Sequence, residues 1–147
     1  MMSLRALALV IVMSLASGSA MAGLATIEGT ATYRERMALP PGAVLEVELL
    51  DVSRADAAAD RLASLRLKPT GQVPIPFVLH YDPALIDERF TYTVTAAIIH
   101  DGRRMFRSDT VHPVLTRGAG STVDVLMVRM GGARDQTAQP SIVGPTW

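Results

Sequence analysis

The chain predicts an all-β fold: a single antiparallel β-sandwich of about seven short strands. Three observations carry this. Apolar and polar residues alternate with a period of two through most of residues 25–130, Gly and Pro turn signals recur at close intervals, and little of the chain shows a helical period. With 147 residues there is room for one domain.

The N-terminus reads as a targeting segment. Arg5 is a lone basic residue ahead of the apolar run Ala6–Ala16, followed by "SGSA" and the small-x-small triplet Ala20-Met21-Ala22. That is the layout of a secretory signal peptide, and the run is too short for a spanning helix. Cleavage after Ala22 is expected, leaving a periplasmic chain that begins at Gly23.

In the first strand, Ala25–Arg36, residues Ala25, Ile27, Ala31 and Tyr33 share one parity and Thr26, Glu28, Thr30 and Thr32 the other. In the second, Ala43–Val52, Leu45, Val47 and Leu49 alternate with Glu46 and Glu48. Pro41-Gly42 suits the middle of a type II turn, so the two are expected to pair as a hairpin. Ala57–Leu65 has the makings of a short helix capped by Asp56, but the alternation of Leu65 and Leu67 with Arg66 and Lys68 favours a third strand at about Leu62–Lys68. The fourth, in "QVPIPFVLHY", places Val73, Ile75, Phe77, Leu79 and Tyr81 on one face. Pro74 and Pro76 on the other cannot donate ladder hydrogen bonds, which assigns it to a sheet edge. Phe90–Ile98 alternates with threonines and runs into Asp101-Gly102, a favoured type I′ pair, and a return strand carrying Met105 and Phe106 among arginines. Ser121–Met130 is the last strand. Its Val123 and Val125 join Val47, Leu49, Phe77, Tyr92 and Val94 as expected interior residues. Gly131–Trp147 has no periodicity and reads as a disordered tail, dispensable for folding. The expected organisation is thus 1–22 signal peptide, 23–130 sandwich domain and 131–147 tail.

Composition excludes several classes of function. Basic and acidic residues balance at 14 each, without the basic excess of a nucleic-acid binder. Cysteine is absent, which removes disulfides, thiolate chemistry and thiolate zinc sites. No catalytic constellation emerges. Asp51, Ser53 and Asp56 lie at a strand end with no histidine nearby in sequence, and such side chains ordinarily satisfy backbone donors there. His80, His100 and His112 fall on separate segments without zinc-ligand spacing. Met37, Met105, Met127 and Met130 are scattered, in the manner of packing residues rather than copper ligands. The expectation is therefore no enzyme, no cofactor and no metal. One candidate contact remains: Arg103, Arg104 and Arg107 form a small basic patch, read first as a solvated strand face and, as the alternative, as a contact for phosphates of an anionic polysaccharide or lipopolysaccharide.

Several blocks, in order, resemble the YbaY/YscW family of bacterial envelope proteins: "YRERMALPPGAVLEVELLDVSRADA", "VPIPFVLHYDPALID", "YTVTAAIIHDGRRMFRSDT" and "HPVLTRG". The resemblance spans about Ile27 to Met130. It implies a small β-sandwich outer-membrane lipoprotein. In the YscW branch it implies a pilotin, which chaperones a type III secretion secretin. The family's lipid is carried by a cysteine after the signal peptide, and with none here no direct lipid anchor is expected. The expected partner is an envelope protein client, secretin-like if the pilotin analogy holds. A client that adds to a sheet edge is expected on the edge opposite the proline-bearing strand. The alternative is a module for envelope polysaccharide or another small ligand. Against it, aromatics, the usual glycan platforms, are only 5% of the chain.

Overall fold

The computed structural model describes residues 23–131; the expected signal peptide and all but the first residue of the expected tail lie outside the described residues. Eight strands form one sheet: β1 (Ala25–Tyr33), β2 (Val44–Asp51), β3 (Asp60–Leu67), β4 (Ile75–Tyr81), β5 (Tyr92–His100), β6 (Arg103–Ser108), β7 (Pro113–Val114) and β8 (Thr122–Arg129). A single 3-10 turn, Pro83–Leu85, lies between β4 and β5, with the Asp82 carboxylate accepting from the Ala84 N–H. The strand order is β3-β2-β5-β6-β8-β1-β4, with β7 added to β5. The all-β class is as expected. Its strands, however, lie in one curled, nearly closed sheet rather than in two stacked layers.

Alternation does what the sequence requires. Leu45, Val47 and Leu49 of β2 are fully buried, while Glu46 and Glu48 face outward. Ile27, Ala31 and Tyr33 of β1, and Ile75, Phe77 and Leu79 of β4, turn into the same core. Tyr33 stacks on Phe106 with ring centroids 4.2 Å apart, and its hydroxyl donates to the Met37 carbonyl. Burial, with a smaller effect from Glu35, raises the Tyr33 pKa. Asp101 and Gly102 both take positive φ, so the β5–β6 hairpin turns as expected.

Four expectations need correction. β1 and β2 do not pair. β1 lies between β4, antiparallel, and β8, parallel, while β2 lies between β3 and β5. Gly42 does turn, at φ +83°, with Ala43 N–H bonded to the Pro40 carbonyl. Residues 34–40, however, leave the sheet before that turn, so a tight turn near two strands did not make them neighbours. The sheet is consequently mixed rather than wholly antiparallel. Val123 is half-buried, not interior, because β8 enters the core only from Val125. Pro76 sits in edge strand β4, but Pro74 lies one residue ahead of it.

Two devices close the end of the sheet where β5 begins. His112 tucks against β5: Thr93 Oγ donates to its carbonyl (3.2 Å) and accepts from its N–H (3.0 Å). Its imidazole Nε2 accepts from the Leu126 N–H of β8 at 3.4 Å, standing in where β6 no longer reaches. The segment before β5 is pinned as well. Thr116 Oγ donates to the Phe90 carbonyl, and Arg117 donates to Thr91 Oγ and the Arg89 carbonyl.

Candidate functional site

The sheet curls until its two outermost strands face each other and then fails to close. Among the described residues, β3 is laddered only to β2 and β4 only to β1. β3 is the edge opposite the proline-bearing strand, and here the two edges border one opening. That opening is a groove of about 580 Å³. Leu65 and Leu67 of β3 line one side, and Pro76, Phe77 and Val78 of β4 the other. Val78 is 44% exposed, on the face where an edge strand normally carries polar residues. Glu28, Thr30 and Asp124 form the outer rim, with Thr30 Oγ donating to Asp124 Oδ1 at 2.7 Å.

Why this seam stays open follows from its residues. Pro76 cannot donate a main-chain hydrogen bond, so a β3–β4 ladder would be interrupted there. The connection between the strands, Lys68–Pro74, is instead tied sideways: the Leu39 N–H donates to Gln72 Oε1 at 2.7 Å. A smaller hollow of about 350 Å³ lies between residues 39–43 and 68–72.

The arginine patch is divided. Arg104 reaches Glu46 Oε1 at 3.8 Å, and Glu46 is also held by Arg66 at 3.1 Å. Glu48 is held by Arg61 at 2.8 Å. Arg104 and Arg107 line a shallow hollow of about 160 Å³ shared with those two glutamates, so the charge along its walls is mixed. Arg103 stands at the hairpin turn, exposed.

The residues weighed for chemistry lie in ordinary structural places. Ser53 donates to Asp51 Oδ1 through both its N–H and its hydroxyl, and Ser53 Oγ accepts from the Thr91 N–H at 2.9 Å. The pair stops β2 and fastens it to the start of β5; Asp56 is exposed in the following turn. His80 is exposed on β4, His100 ends β5 with Nε2 near the Pro41 carbonyl, and His112 braces β8. Among the described residues no group of three His, Cys, Asp or Glu could hold a metal. Met127 is buried, Met37 and Met105 are half-buried, and Met130 is exposed. One carboxylate among the described residues is strongly shifted: half-buried Asp87 is lowered to about 2, chiefly by the Arg89 guanidinium hydrogen bond and then by the Arg89 backbone N–H. Sequence reasoning did not find the seam. Its one visible signal was Val78, an apolar residue on the outer parity of an edge strand.

Comparison with known proteins bears on the whole of this framework. A family model described as type III secretion system lipoprotein chaperone (YscW) matches residues 22–127, from the start of β1 through most of β8. The chain is 38% identical over 115 residues to the uncharacterized lipoprotein YbaY of Escherichia coli (strain K12), covering 78% of this chain and 58% of that protein. It thus spans little more than half the length of that relative. The solved structure of an alternative pilotin from the type II secretion system of Vibrio cholerae matches at a TM-score of 0.71 and 40% identity, over 74% of this chain and 99% of that one. On the extent of the family match, the chain belongs to the YscW family of type III secretion system lipoprotein chaperones.

Proposed function

We propose that this chain is a non-enzymatic, pilotin-like module of the periplasm that holds a segment of an envelope protein client, secretin-like, in the open seam between β3 and β4. The folded unit is 23–130, exported by residues 1–22. The observation that carries the reading is the seam itself: an apolar groove bordered by two strand edges that have no ladder partner among the described residues. An extended client strand gains main-chain hydrogen bonds from an open edge and seats alternate side chains in the groove below it. β3 is the better template, because Pro76 interrupts β4. The acidic rim, Glu28 and Asp124, favours a client segment with a basic residue beside its apolar ones. A chaperone family and a pilotin relative accord with a protein client. A glycan module is disfavoured because Phe90, which does not line the groove, is the only exposed aromatic among the described residues.

The test is site-specific photo-crosslinking in the periplasm. A crosslinker replacing Leu67 or Val78 should capture one envelope protein, identified by mass spectrometry, and one replacing exposed Val111 should not. Equal capture from all three positions, or none from the seam, overturns the reading.

A further inference from the structure

The sheet directions gather charge that is scattered in sequence. Because β1 runs parallel to β8 and the other laddered neighbours are antiparallel, the β1–β2, β3–β4 and β5–β6 connections and the end of β8 all lie at one rim. That rim carries Arg34, Arg36, Lys68, Arg103, Arg104 and Arg129, all exposed. Its acidic residues among the described ones are Glu35 and Asp101. Glu35 is turned inward, with Oε1 accepting from the Arg129 N–H at 3.3 Å and Oε2 buried, and Asp101 lies 3.6 Å from His100. Of the six cations only Arg104 makes an ion pair among the described residues. The opposite rim is acidic. There Asp51, Asp56, Asp60, Asp82, Asp87 and Glu88 outnumber the arginines, and Arg54 and Arg89 are already paired to Asp60 and Asp87. The described residues are thus strongly polarised along the sheet axis, in a chain whose formal charge sums to zero.

We propose that the basic rim is a docking surface for an anionic phospholipid bilayer. The cations come from four separate chain segments spread around an edge, and among the described residues no single cleft gathers them. That arrangement suits a plane of laterally repeated anions better than one bound phosphate. A glycan reader would need an aromatic platform, and no exposed aromatic stands at this rim among the described residues. The acidic rim, repelled by the same surface, fixes the orientation: the sheet axis stands along the bilayer normal with β5's starting end outward. This docking does not depend on what occupies the seam.

The experiment is co-sedimentation of the exported protein at low salt with vesicles of equal parts phosphatidylcholine and phosphatidylglycerol, and with pure phosphatidylcholine vesicles. Binding is expected to the mixed vesicles alone and to weaken steeply with added salt. Each substitution of Arg34→Gln, Arg36→Gln, Arg103→Gln and Arg129→Gln should lower partitioning about fivefold, the effect of one basic residue at an anionic surface. Arg54→Gln, at the other rim, should leave partitioning unchanged. Indifference to phosphatidylglycerol, or an equal loss in Arg54→Gln, overturns the proposal. So does release by inorganic phosphate beyond that by chloride of equal ionic strength, which would mark a discrete anion site. Binding to polyglutamate without binding to vesicles would assign the rim to an acidic protein and also overturn it.

Discussion

Gly29 is where the sheet is least able to accept a side chain, and Gly29→Ala tests the β1 register directly. Gly29 stands opposite Val123 of β8 and Phe77 of β4. A Cβ there would lie 2.0 Å from the Val123 carbonyl oxygen and 2.8 Å from Phe77 Cζ, where ordinary contact begins at 3.4 Å. Phe77 could give a little by rotating, but the carbonyl belongs to backbone. β1 and β8 must therefore separate by roughly 1.4 Å at this point, the 2.0 Å approach subtracted from 3.4 Å, at the expense of neighbouring ladder bonds. The alternative is for the substituted residue to distort its own φ and ψ. Overpacking of this kind costs about 3 kcal/mol, the upper end of its usual range. For a domain near 100 residues that lowers the melting temperature by about 12–15 °C. Urea denaturation should show a lower midpoint with an unchanged slope, since the surface exposed on unfolding is the same. Gly71→Ala, where an added Cβ meets nothing within 4 Å, is the control and should be neutral. A Gly29→Ala protein within about 0.5 kcal/mol of the parent would refute the parallel β1–β8 pairing.

Two further predictions concern stability. Val94 is fully buried between Leu49 of β2 and the closing segment at His112, so Val94→Asp leaves an unpaired carboxylate in the core. The penalty, several kcal/mol against a total stability of about 5–15, should abolish the cooperative melt in circular dichroism. Asp87 has a folded-state pKa of about 2, below its ordinary value of 3.8, so its contribution is present above the ordinary value and lost as pH falls through the folded one. The melting temperature of Asp87→Asn should consequently lie slightly below the parent's above about pH 4, only slightly because the Arg89 partner is exposed, and the gap should close as pH falls to about 2.

Local features were legible and long-range ones were not, for a physical reason. The β5–β6 hairpin could be read because two adjacent residues, Asp101 and Gly102, determine both the turn and the pairing. The edge position of β4 could be read because Pro76 lacks a donor. Parity, by contrast, reports which face a residue takes and says nothing about which strand lies alongside. Glu46 and Glu48 alternate identically whether β2 neighbours β1 or β5, so nothing in the alternation could contradict the hairpin expected at Pro41-Gly42. β7, two residues long, offers no period at all. The candidate surfaces are long-range in the same sense. Leu67 and Val78 became a groove only when the sheet curled, and Arg103 became part of a rim only when Arg34, Lys68 and Arg129 were carried beside it.

The partnership of the first strand with the last sets the timing of folding. Thr30 bonds Asp124 across 94 positions of sequence, and six consecutive residue pairs from Glu28–Thr122 to Tyr33–Met127 join the same two strands. A chain delivered N-terminus first cannot complete this sheet until nearly its whole length has emerged, because β1 waits for β8. β2 and β3 can form a hairpin early, but two strands alone are marginal in water. Closing so distant a contact is entropically slow, which keeps the polypeptide open and threadable during the export proposed above. Under that proposal the topology couples the completion of the fold to the completion of transport.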